Sequence, residues 1–102
     1  MYVVLCNCPP ERASELARAV VTEGLAACVN ALPGVASTYL WEGELCEEVE
    51  TTLLIKVSAA RVDALCERVR ALHPYDTVEL LALPVDIARS DPRYVAWVRG
   101  AT

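Results

Sequence analysis

Residues Ala27 to Val57 read ACVNALPGVASTYLWEGELCEEVETTLLIKV, and this stretch decides the fold. From Ala27 to Leu40 it is rich in β-formers and broken only by Pro33-Gly34, which removes a ladder donor and predicts a bulge or sharp bend in an edge strand. The strand resumes from Val35 to Trp41, and Glu42-Gly43-Glu44 reads as a turn. Beyond it, Val49, Thr51, Leu53, Ile55 and Val57 alternate with Glu48, Glu50, Thr52, Leu54 and Lys56. The reading is a β-hairpin with unusually long arms.

The flanking segments complete the pattern. Tyr2 to Cys8 is a Val-rich apolar run closed by Pro9-Pro10, the signature of a strand buried on both faces. From Pro10 to Gly24 the positions Ala13, Leu16, Ala17, Val20 and Val21 follow helical spacing, with proline at the entrance, Glu11 in the first turn and glycine at the exit. Ser58 is placed to cap a second helix whose stripe, Val62, Leu65, Cys66, Val69 and Leu72, stops before Pro74. Val78 to Val85 reads as a fourth strand, and Ser90-Asp91-Pro92 opens a short last helix carrying Tyr94, Val95, Trp97 and Val98. The order is βαββαβ plus a C-terminal helix, an α+β, ferredoxin-like sandwich in one domain over residues 1–102. Right-handed crossovers put the first and third strands in the centre and the bulged segment on an edge.

Geometry then demands company. A fifteen-residue helix is ~22 Å long, whereas the arm from Ala27 to Glu42 spans ~50 Å when extended. The hairpin must overshoot its helices unless Pro33-Gly34 folds it back, and an isolated two-stranded ribbon is marginal in water. The sheet face opposite the helices is equally uncovered. Leaving its Leu and Val side chains in water forgoes ~1.5 to 3 kcal/mol each, so self-association with closed cyclic symmetry is expected.

Composition narrows the function classes. The 102 residues are 55% apolar and 23% charged with net charge −5, which excludes a disordered chain, and no apolar run reaches membrane-spanning length. Fourteen acidic against nine basic residues argue against a nucleic-acid surface. The apolar start without a basic segment is unlike a signal peptide, and an odd count of five cysteines is unlike a disulfide framework, so a cytoplasmic protein with reduced thiols is expected.

Few groups offer chemistry. Cys6-Asn7-Cys8-Pro9 puts two thiols on one side of a strand beside a helix N-terminus that can lower a thiol pKa; soft metals such as Cu(I) favour thiolates, while core packing is the plainer reading. His73, the only histidine, is either a metal ligand or a partner for the carbonyls ending its helix. Glu42, Glu44, Glu47, Glu48 and Glu50 read as a solvated acidic face, since the calcium-loop pattern is missing. Lys56, the only lysine, is either an anion binder or an exposed guard of a strand edge. Tyr39, Trp41, Tyr75 and Trp97 read as interface anchors. No nucleophile and base pair can be assembled, so an enzyme is not expected.

Taken together, Ala26-Ala27-Cys28-Val29-Asn30, Pro33-Gly34, Tyr39-Leu40-Trp41-Glu42-Gly43, Leu54-Ile55-Lys56, Leu72-His73-Pro74-Tyr75, Glu79 and Leu83-Pro84-Val85 resemble the CutA divalent-cation-tolerance family. The resemblance implies a tight homotrimer with hairpins packed on neighbouring subunits, and a role in tolerance of copper and other divalent metal ions without an established reaction. It also implies metal ligands at Cys6 and His73. Leu72 stands where copper-binding members carry a second histidine, and Cys8 is the available substitute. Lys56, Trp41, Tyr75 and Glu79, with Cys28 and Glu42, fall at motif positions that line an inter-subunit cleft. The alternative implied by the related trimeric PII-type proteins is a small-molecule sensor or signalling adaptor using that cleft.

Overall fold

A computed structural model describes all 102 residues. Four antiparallel strands, β1 (Tyr2–Cys8), β2 (Cys28–Trp41), β3 (Glu44–Val57) and β4 (Leu80–Pro84), lie in the order β2-β3-β1-β4. The first and third are central, as the crossover rule requires. Helices α1 (Ala13–Thr22) and α2 (Val62–Leu72) cross over between strands, and α3 (Pro92–Ala101) closes the chain. Asp91 caps α3, its carboxylate accepting from the Arg93 and Tyr94 amides at 2.8 and 3.2 Å.

Strand alternation separates two sheet faces. Val4, Cys6 and Cys8 of β1 pair with Ile55, Leu53 and Thr51 of β3, and this face joins Leu16 and Val20 of α1 and Leu65 and Val69 of α2 in one buried cluster. The opposite face carries Val3, Leu5, Asn7, Thr52, Leu54 and Lys56, and from β4 Leu81 and Leu83, which are 55% and 48% exposed. β1 is therefore sealed on one face and half-buried on the other, because both crossover helices lie on the same side.

Both hairpin arms run fourteen residues, and the molecule measures 45 Å along its longest axis. Of β3, β1 reaches only Thr51 to Val57, so the segment Val35–Trp41 against Glu44–Glu50 is a free two-stranded ribbon. Pro33-Gly34 does not fold it back. It forms a β-bulge, two residues of β2 opposite one of β3, with Gly34 at φ +72°. The tip turn has positive φ at both Glu42 and Gly43, the primed geometry that matches strand twist.

Three local expectations are corrected. The first helix opens with a 3-10 turn over Pro10–Arg12 and ends at Thr22, short of Gly24. Ser58 does not cap α2: the helix begins at Val62 with no side-chain cap, and the Ser58 amide instead donates to Thr102 Oγ1 at 3.1 Å. β4 is five residues long, because Pro74 to Glu79 form a loop that crosses the end of the sheet before pairing begins.

Candidate functional site

The bulge places the site. A one-residue slip moves every later side chain of a strand to the other face. Before it, Cys28, Asn30 and Leu32 share the face of Lys56, Leu54 and Thr52; after it, Ser37, Tyr39 and Trp41 share that face with Glu48, Cys46 and Glu44. The aromatic residues of the ribbon thereby line up with Glu50 and with Asn7, whose side-chain oxygen accepts from Thr52 Oγ1 at 2.6 Å. Facing them is the loop from Pro74 to Glu79. Between ribbon and loop lies a cleft of about 860 Å³, within the range of small-molecule sites.

Its charge is one-sided. Glu48, Glu50, Asp76 and Glu79 line it, and no lysine, arginine or histidine does. Glu48 is exposed, but Glu50 is only 7% exposed, which corrects the expectation of a fully solvated acidic face. The ion pairs of the chain, Arg12–Glu15, Arg68–Glu23 and Arg89–Asp86, all lie elsewhere. The carboxylates act on their neighbours. Tyr39, beside Glu48, has its hydroxyl pushed up to about 12 chiefly by that carboxylate. Tyr75 is raised by burial first and then by Glu50 and Glu48.

His73 holds the loop wall in place. Its Nδ1 accepts from the Tyr75 amide at 3.2 Å, so Nε2 carries the hydrogen and donates to the Asn7 carbonyl at 2.8 Å. The ring also packs on Tyr75, centroids 4.8 Å apart. It does not bond the carbonyls ending α2; that role falls to Arg12, whose Nη2 donates to the Leu72 carbonyl at 3.2 Å.

Trp41, Tyr75 and Glu79 are thus brought together in the cleft, while Lys56 and Cys28 stand at the root of the hairpin, paired with each other across β2 and β3. Lys56 is buried, donating to Asn30 Oδ1 and to the Leu54 carbonyl, so it does not guard an exposed edge. Glu50, Tyr39 and Asp76 are cleft residues that sequence reasoning missed as a set. The available signal was the Pro33-Gly34 bulge, from which the parity change of β2 could be counted.

Cys6, Cys8 and His73 do not fit a copper centre as folded. Both thiols are fully buried. Cys6 is pushed up to about 12 by burial, reinforced by Cys8, Glu79 and Glu50, and Cys8 is raised for the same first reason, so the helix N-terminus does not create thiolates here. Both imidazole nitrogens are engaged by main chain. No three His, Cys, Asp or Glu side chains converge anywhere in the chain as metal ligands.

The comparisons bear on the family and the fold. A family model described as CutA1 divalent ion tolerance protein matches residues 2–101. The chain is 46% identical over 101 residues to the divalent-cation tolerance protein CutA of Thermus thermophilus, covering 98% of this chain and 96% of that protein. It is 46% identical over 97 residues to protein CutA of Mus musculus, covering 94% of this chain and 54% of that protein, so it spans about half the length of the mouse relative. Among solved structures, the PII-like protein CutA from Nostoc sp. PCC 7120 in apo form superposes with a TM-score of 0.96 at 42% identity, over 100% of this chain and 97% of that one.

Proposed function

The chain belongs to the CutA1 divalent ion tolerance family, and on that premise we propose that it acts as a homotrimeric binding protein, not an enzyme, whose working surface is the carboxylate-lined cleft. The observation that carries this reading is the cleft itself, which gathers Glu48, Glu50, Asp76 and Glu79 with no basic side chain and therefore favours cations. Copper or another heavy-metal ion is the ligand that the family description suggests. Such an ion would meet the cleft carboxylates, since Cys6, Cys8 and His73 are engaged otherwise, and neighbouring copies would have to complete its ligands, because no three converge within one chain.

Trimer formation is supported by what one chain leaves uncovered. The ribbon exposes Leu40 at 71%, Leu45 and Val49 at 64% and Trp41 at 54%, and the open sheet face exposes Leu81 and Leu83. A lone ribbon with such side chains in water is poorly stable, and neighbouring copies that sheathe it would also wall the cleft. No helix is long and apolar enough to cross a membrane. We place the protein in the cytoplasm, where five cysteines outside any disulfide persist.

The second reading is a PII-like small-molecule sensor. It is favoured by the size of the cleft and by the Tyr39, Trp41 and Tyr75 rings in its walls, which supply π-faces suited to an organic ligand. Sedimentation at micromolar concentration is expected to give a trimer that Leu83→Asp weakens, and a monomeric wild type overturns the assembly. Equilibrium dialysis with Cu(I), Cu(II) and Zn(II) is expected to show uptake reduced by Glu50→Gln and unchanged by Cys6→Ser with His73→Gln. The reverse pattern overturns the placement of the ions.

A further inference from the structure

We propose that the cleft holds an elongated organic cation, with a primary ammonium or guanidinium group seated on Glu50 on the side of Tyr75 and the rest of the molecule running along the ribbon past Tyr39 toward Trp41. This deepens the sensor reading and rests on it.

Glu50 is the first reason. The residue is 7% exposed and lines the cleft, its side chain enters neither an ion pair nor a hydrogen bond within the chain, and its carboxylate oxygens keep what contact with water remains to it. A carboxylate that keeps only a little of its hydration gains from a cation or donors that replace the rest. The most buried carboxylate of the cleft is therefore the one at which a cation gains most, and Glu48, Asp76 and Glu79 add to the field there.

The chemistry of the walls selects the kind of cation. A divalent metal ion takes four to eight lone-pair ligands, and no three chelating side chains converge in this chain. Aromatic faces are instead suited to a polarising alkylammonium or guanidinium group, whose attraction to a ring is ~0.5 to 2 kcal/mol. Asn7, Ser37, Thr38 and Thr77 supply neutral hydrogen-bonding groups spread around the same space, which the several N–H donors of an organic cation can reach at once. A volume of about 860 Å³ also exceeds what a single ion fills.

The probes are agmatine, spermidine and tetramethylammonium chloride, titrated into the assembled wild-type protein at physiological salt and followed by calorimetry and tryptophan fluorescence. At least one of the first two is expected to saturate, with affinity lowered about tenfold or more by Glu50→Gln. Trp41→Leu serves as a second variant, expected to weaken spermidine, which is long enough to extend toward it, more than tetramethylammonium, and sedimentation with circular dichroism checks that each variant still assembles. If no amine saturates while Zn(II) or Cu(II) binds through Glu50, the organic-cation assignment falls and the cleft remains the binding surface. If neither class binds, the cleft reading falls with it. Binding of amines that neither variant weakens overturns the proposal, as does a crystal structure of the assembly in which a neighbouring subunit's arginine or lysine occupies Glu50.

Discussion

His73 and Asn7, 66 positions apart, are joined by a hydrogen bond of 2.8 Å from the imidazole Nε2 to the main-chain carbonyl of the strand residue between Cys6 and Cys8. The same ring accepts the Tyr75 amide on its other nitrogen. One side chain therefore ties the end of β1 to the loop that walls the cleft, in a single neutral tautomer.

Because this is the only histidine, its long-range ¹H–¹⁵N spectrum is unambiguous. It is expected to show a protonated Nε2 and a bare Nδ1, unmoved by one equivalent of Zn(II) or Cu(I). His73→Ala is expected to lower stability by about 1–3 kcal/mol, the usual loss when partly buried polar groups are left without a partner. Metal-dependent shifts of both nitrogens would return His73 to the role of ligand.

The buried thiols make the fold sensitive to alkali. Cys6 ionises ordinarily at 9.0 and is pushed up to about 12 in the fold, chiefly by burial. Between those values the unfolded chain has lost the proton and the folded chain keeps it, so stability that is complete below about pH 9 declines as pH rises through the window. Cys8, Cys66, Tyr39, Tyr75 and Tyr94 are shifted the same way and steepen the decline. Urea midpoints from neutrality to about pH 11 are expected to fall, and Cys6→Ala to fall less steeply from a lower start. Native alkylation followed by mass spectrometry should leave Cys6 and Cys8 unlabelled; rapid labelling of either contradicts the buried assignment.

At the bulge, Gly34 has φ +72°, where a β-branched side chain is strained even though open space surrounds the position. Gly34→Val is expected to cost about 1–2 kcal/mol. Deleting Gly34 removes the bulge but not the pairing beyond it: Pro33 would oppose Thr51 and Val35 would still oppose Glu50, so Tyr39 and Trp41 are expected to keep their face and Trp41 fluorescence to keep its response to cleft ligands. A lost response would show instead that the pairing beyond the bulge slips by one residue when the extra residue is gone.

Lys56 offers a test of charge. Its ammonium is held by Asn30 Oδ1 and the Leu54 carbonyl, both neutral. Lys56→Met removes a desolvated cation and leaves the exposed Asn30 amide free to turn to water, so stability is expected to hold or rise by up to about 2 kcal/mol. A loss of that size in denaturant titrations would reveal an anionic partner in the assembly.

The elements of this fold were legible in the sequence because their causes are local. A Val-rich run closed by prolines, two amphipathic stripes and an alternating arm each carry their period within a few residues, and βαββαβ order then leaves one plausible sheet. The apolar positions left over also announced the uncovered face. Side-chain partners were not legible, since they depend on elements far apart in the chain. Ser58 lost its expected cap to a later helix start, and Arg12 took the helix-end role foreseen for His73. The acidic run looked uniformly solvated, yet the sheet and the Pro74–Glu79 loop bury Glu50 and leave Glu48 in water. Sequence alone thus determined the periodicities and the need for a bulge. Only the tertiary structure decided which face the bulge turned each aromatic toward, because facing is fixed by cross-strand register, a relation between residues that chain order does not contain.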